Sequence, residues 1–232
     1  MAILYRLMNR DGIFLAICQF CVLAALLTTA LPSCKCAREK QAVMTGAVPD
    51  IPYDSLREGD LVFRKGTSHI SQLLTMSPTN KNYSHIGILF RQDGEWVIVH
   101  AVPNEPDKAG DFDRVKKESL EHFFCDKMAI CGELCHTELP DDAIARMRER
   151  AFRWVNDSIR FDNIYDMEDS SRLYCTELVW NLYRKEGIDL TQGSRTIVSL
   201  PGIKDTLLMP EDVRKHPGNQ IYFQFKHQYQ FN

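Results

Sequence analysis

The sequence predicts an α+β domain, an antiparallel sheet packed against helices. Three observations carry this. Residues 84–102 read as a hairpin around an Asp93-Gly94 turn. Residues 140–158 and 174–186 each place apolar side chains at helical spacing. Cys175 lies in the first turn of the second of these helices, where a thiol feels the positive end of the helix dipole.

The chain has 232 residues and a formal net charge of −3. Its first segment stands outside the fold. Arg6 and Arg10 give a positive start, 13–31 is almost wholly apolar, and Leu31-Pro32-Ser33-Cys34 follows. This reads as a signal peptide over 1–33. The Leu-x-Ser-Cys ending resembles a bacterial lipoprotein processing site with Cys34 as the lipidated residue; Cys36 is the weaker alternative. An uncleaved membrane anchor and plain secretion are the other readings. All three export the remainder, and the first fixes it by a lipid anchor to a bacterial membrane in the cell envelope. Residues 34–52 mix Lys, Glu, Gly and Pro without periodicity, a tether. Residues 53–232 form the domain, long enough for one buried core. Near-neutral charge without a sustained basic patch excludes nucleic acid as a partner.

Within the domain, 52–60 holds turn residues, and 61–64 is a strand entered through Gly59-Asp60. Residues 70–76 carry apolar positions at helical spacing, and 78–83 is a polar loop. Residues 84–91 alternate, with Ile86, Ile88 and Phe90 against His85, Gly87 and Leu89. After the Asp93-Gly94 turn, 95–102 returns. With Gln92 opposite Glu95, counting outward sets Gly87 opposite His100. His85 and His100 are then diagonal neighbours on one face, and Gly87 leaves room for the imidazole. Residues 120–135 contain a strand near 128–131. Residues 140–158 form a helix with Asp141-Asp142 in its first turn. Residues 161–169 are an acidic, aromatic loop. The helix over 174–186 is stopped by Gly187. Pro210-Glu211-Asp212 starts a further helix, and 221–225 is a last strand.

Nucleophilic catalysis by cysteine needs a thiolate, a base and donors for an oxyanion. Cys175 at a free helix end supplies the first and, through its own N–H, part of the third. His85 is the candidate base and His100 its orienter, a place that a carboxylate or amide fills in other triads. Tyr174, Asp60 and Ser84 are candidates for the pocket or the oxyanion. Glu177 reads as a helix-end charge. Cys125, Cys131 and Cys135 with His136 raise a zinc site, but no Cys-x-x-Cys pair is present; a disulfide in the trio or buried free thiols fit better. No metal and no cofactor are expected.

Four stretches carry a family resemblance: Gly59-Asp60-Leu61-Val62-Phe63, Tyr83-Ser84-His85-Ile86-Gly87-Ile88, His100-Ala101-Val102-Pro103 and Tyr174-Cys175-Thr176-Glu177-Leu178-Val179. Together with Tyr165-Asp166-Met167-Glu168-Asp169 and Met209-Pro210-Glu211-Asp212 they resemble the permuted NlpC-type papain-like hydrolases of the YiiX/YebB-like group. The histidine pattern is also similar to the lecithin:retinol acyltransferase-like branch. The resemblance implies a circularly permuted papain-like fold, its small barrel-like antiparallel sheet packed against the nucleophile helix. It implies Cys175 as nucleophile, His85 as base and His100 as third member, where YiiX-like proteins tend to have a carboxylate. The expected activity is a cell-envelope cysteine amidase or peptidase on peptidoglycan-type peptides. The alternatives are a hydrolase or transferase of lipid or N-acyl amine acyl groups, and a non-catalytic envelope binding module.

Overall fold

Strands β1 (Leu61–Gly66), β2 (His85–Gln92), β3 (Glu95–Val102), β4 (Arg114–Ser119), β5 (Ala129–Thr137), β6 (Arg160–Phe161), β7 (Arg172–Leu173) and β10 (Asn219–Lys226) join one sheet. The order is β10-β5-β1-β2-β3-β4-β6-β7, antiparallel except for the short β6–β7 pair. β8 (Thr196–Leu200) and β9 (Ile203–Leu207) form a separate hairpin. The helices are α1 (His69–Leu74), α2 (Leu120–Phe124), α3 (Asp141–Asn156), α4 (Cys175–Arg184) and α5 (Pro210–Arg214). This computed structural model describes residues 46–76, 80, 82–200 and 203–228. The apolar run at 13–31, Cys34 and Cys36 lie outside the described residues. Among the described residues no helix is long and apolar enough to cross a membrane.

Strand alternation gives the sheet two different faces. Ile86, Ile88 and Phe90 of β2 pack with Leu178, Val179 and Leu182 of α4. Leu89 and Ile98 point the other way, onto Phe123 and Phe124 of α2. Each such side chain withdrawn from water contributes about 1.5–3 kcal/mol. The hairpin register is the expected one. Gln92 pairs Glu95 and Ile88 pairs Val99. Asp93 and Gly94 both take positive φ, 53° and 87°, as a two-residue turn of matching twist requires.

α3 and α4 fall within a few residues of their expected bounds. Tyr174 is the extended N-cap of α4, and Gly187 (φ 84°) follows its end. Six elements are new: β4, the short β6 and β7, the β8–β9 pair and α2. β4 shows no apolar alternation, because Lys116 and Glu118 are charged yet buried. α2 occupies the start of the stretch 120–135, and the strand there runs on from Ala129 to Thr137. The β8–β9 hairpin was not expected, although Ile197, Val198, Leu200 and Ile203 flank the turn signal Pro201-Gly202 in the sequence. Cys125, Cys131 and Cys135 are free thiols, so the disulfide alternative falls.

Candidate active site

β2 begins on His85 and α4 begins on Cys175, and packing of α4 on the Ile86 side of β2 brings these two starts together. Backbone N–H groups of Ile86, Thr176 and Cys175 are directed at the sulfur, with the Thr176 hydroxyl 3.7 Å away. Ile86 directly follows His85 in β2, so the sulfur lies against the backbone next to His85. The amides at the helix start have no intrahelical acceptor and serve as ready donors to an anion.

His85 Nε2 and His100 Nδ1 are 2.8 Å apart, both rings buried. The rings meet edge-on at 73°, and Phe123 of α2 packs beside both. Gly87 makes this possible. A Cβ there would lie 2.4 Å from Ile98 Cγ2 and 3.2 Å from His100 Cβ. Nε2 of His85 is committed to His100, which leaves Nδ1 as the nitrogen able to exchange a proton. Among the described residues no hydrogen bond joins the Cys175 sulfur to His85; the sulfur's side-chain neighbour is the Thr176 hydroxyl.

The electrostatics differ from a thiolate–imidazolium pair. Burial pushes the Cys175 thiol above its usual range, and the Thr176 hydroxyl and the three amides only partly offset this. Burial, then the positive charges of Arg64 and Lys116, hold His85 well below the usual imidazole range. His100 is lowered for the same reasons, with His85 also acting on it. Both shifts favour the neutral forms, a thiol at Cys175 and an uncharged imidazole at His85.

The other candidates fall in three places. Ser84 Oγ accepts from the Gly66 amide at 2.9 Å and ties the end of β1 to the start of β2, beside His85. Tyr174 meets Tyr165 edge-on, and its hydroxyl accepts from the Leu208 amide at 3.3 Å, which ties the start of α4 to the chain after β9. Asp60 is not among the gathered residues. It precedes β1, at the end away from Arg64 and His85, and accepts from the amide of Arg57, from His136 and from the Tyr222 hydroxyl. Glu177 accepts from the Tyr174 amide; burial, opposed by that bond, raises its carboxyl to about 8.

One group was missed. Behind His100 lies Glu118 of β4, with Oε1 at 3.4 Å from His100 Nε2. Arg64, Lys116 and His122 surround it. Its sequence neighbours, Lys-Lys-Glu-Ser, read as a solvated stretch. The signal that was available is register: Glu118 pairs with Ile98, two positions from His100 and on the same face.

The geometry can be set against known proteins. The model of a family described as permuted papain-like amidase enzymes, YaeF/YiiX, C92 family, matches residues 55–198. A solved structure described as metalloprotein yiiX from Escherichia coli O157:H7 aligns with a TM-score of 0.57 and 20% identity, over 74% of this chain and 98% of that one. No curated protein matches the chain. The mixed α+β architecture and its curled eight-stranded sheet are the permuted papain-like fold that the sequence led us to expect.

Proposed function

The chain belongs to the permuted papain-like amidase family, C92, and from that premise we propose that it cleaves amide bonds of peptidoglycan-type peptides in the cell envelope through a Cys175 acyl-enzyme. The observation that supports the assignment of the nucleophile is the start of α4, where three backbone N–H groups converge on the sulfur, among them that of Ile86, the residue after His85. Cys175 Sγ attacks the amide carbonyl while its proton passes to His85 Nδ1. The amide C–N bond then breaks, and His85 returns the proton to the leaving amine. Water attacks the thioester, His85 takes a proton from it, and the thiol re-forms with release of the acid. The N–H groups of Cys175, Thr176 and Ile86 stabilise developing negative charge. His100 orients His85. Export by a signal peptide over 1–33, with a lipid on Cys34, would hold the domain at such a substrate; the apolar run at 13–31 ahead of that cysteine supports it.

A second reading has a specific observation in its favour. Tyr165, next to Tyr174, packs with Leu74, Leu207 and Met209. On those same segments or beside them, Leu73, Met76, Ile164 and Ile197 are 48, 73, 67 and 63% exposed. An apolar margin of this kind suits an acyl chain, so the alternative substrate is an N-acyl amine or lipid acyl group. The test is turnover by wild type and Cys175→Ala on muropeptides, N-acyl amines and phospholipid. Muropeptide cleavage lost in Cys175→Ala supports the first reading. Turnover only of the lipid substrates selects the second. Full turnover by Cys175→Ala on any of them refutes the nucleophile.

A further inference from the structure

Glu118 has both carboxylate oxygens buried without a hydrogen-bond partner, and the same is true of His100 Nε2. These unsatisfied atoms face one another at 3.4 Å. A buried carboxylate left this way is costly unless something nearby uses its charge. The neighbouring cations do not require it. Arg64 Nη2 is hydrogen-bonded to Glu105. Lys116 Nζ has the Glu105 carbonyl at 2.8 Å and Asp107 at 3.2 Å. Arg64 and Lys116 reach Glu118 only at 3.5 and 3.7 Å. Arg114 shares Asp107 and also pairs with Asp111, so three cations, Arg64, Lys116 and Arg114, already meet three carboxylates, Glu105, Asp107 and Asp111, and Glu118 is a fourth. Its charge is left over for the imidazoles.

We infer that Glu118 is a positioning residue for the Cys175 site: its carboxylate keeps the proton of His100 on Nε2, and through His100 fixes the tautomer of His85. The logic is one of donors and acceptors. An ionised carboxylate only accepts, so His100 donates from Nε2 and its Nδ1 becomes an acceptor. His85 must then donate from Nε2 across the 2.8 Å contact. That leaves the lone pair of His85 on Nδ1, where the proton of Cys175 is to go. When His85 takes that proton, Glu118 supplies the negative charge that an imidazole third member lacks. The carboxylate absent at position 100 is supplied from the adjacent strand. This inference rests on His85 acting as the base for Cys175.

Burial raises the Glu118 carboxyl, with Arg64 opposing and Glu105 assisting, to about 7. The groups facing it are Arg64, Lys116, His100, His122, Glu105 and Asp107. Both site histidines stay neutral well below the usual imidazole range. The acidic limb of kcat/KM therefore belongs to Glu118: activity falls as pH drops through about 7 and the carboxylate is protonated.

The test combines ¹⁵N-histidine NMR with kinetics on wild type, Glu118→Gln and Glu118→Leu, each checked by thermal melting. Wild type should show His85 and His100 both protonated at Nε2. Glu118→Leu should release the His100 tautomer, and both variants should lose about 10–100-fold in kcat with KM within about twofold. Glu118→Gln should also lose the acidic limb near pH 7. A wild-type His100 protonated on Nδ1 overturns the inference without any variant. So does a Glu118→Gln limb that superimposes on wild type, or a His100 tautomer unchanged in a folded Glu118→Leu. If the tautomers behave as expected but Cys175→Ala still turns over substrate, the nucleophile assignment fails and the positioning role stands.

Discussion

Gly87→Ala perturbs the site through a single methyl. Gly87 is a strand residue whose φ is not in the left-handed region, so the cost is steric alone. The new Cβ would lie 2.4 Å from Ile98 Cγ2, 3.2 Å from His100 Cβ and 3.3 Å from the Val99 carbonyl. Ile98 is fully buried and cannot simply swing into solvent. Overpacking of this kind costs about 1–3 kcal/mol, and the stiffer unfolded chain returns about 0.4–1 kcal/mol. The net loss is about 1–2 kcal/mol, a fall in Tm of about 2–8 °C for a domain of this size. Relief by moving β3 away from β2 would stretch the 2.8 Å His85–His100 contact. Activity should then fall by more than tenfold while most of the protein remains folded at the assay temperature, because misplaced catalytic groups cost rate steeply. The assay is a melting curve alongside kcat/KM. A variant with wild-type Tm and wild-type kcat/KM would refute the close approach on which the histidine pair depends.

Two stability predictions follow from buried or bridged carboxylates. Glu177 has its folded pKa raised to about 8 from an ordinary 4.5, so it destabilises the fold increasingly as pH rises between those values. Glu177→Gln should therefore gain in Tm relative to wild type between pH 5 and pH 9, as melting curves at both pH values would show; a difference independent of pH contradicts this. Burial acts to raise Asp189, but the Trp180 indole N–H, the Thr191 hydroxyl and amide and the Gly193 amide outweigh it and hold the carboxyl at about 2. A depressed carboxyl stabilises above its unfolded pKa, so Asp189→Ala should cost about 1 kcal/mol at pH 7, and the pH-dependent part of that loss should fade as pH falls towards 2, followed by urea denaturation.

Legibility divided along burial and charge. The β2–β3 hairpin could be read because its turn carries a local backbone requirement, positive φ at Asp93 and Gly94, and because alternation fixes register. The gathering of His85 with His100 followed from that register. β4 was hidden because its inward residues, Lys116 and Glu118, are charged, and charge ordinarily reads as solvent-facing. The residues that broke the pattern are those that surround the histidines. The helix dipole at Cys175 was visible, but it argued for a thiolate. The opposing burial depends on α4 packing against β2 and is a tertiary effect, so the neutral resting pair was not. Asp60 stood within a matching stretch, yet its partners His136 and Tyr222 come from β5 and β10, distant in sequence.

Rapid-quench intact-mass spectrometry with an amide substrate, followed by peptide mapping, tests the central claim most directly. An acyl adduct should accumulate on the peptide bearing Cys175 and be absent in Cys175→Ala, which should not turn over. Its mass identifies the acyl group as peptide or lipid. An adduct on another residue, or undiminished turnover by Cys175→Ala, would contradict the account.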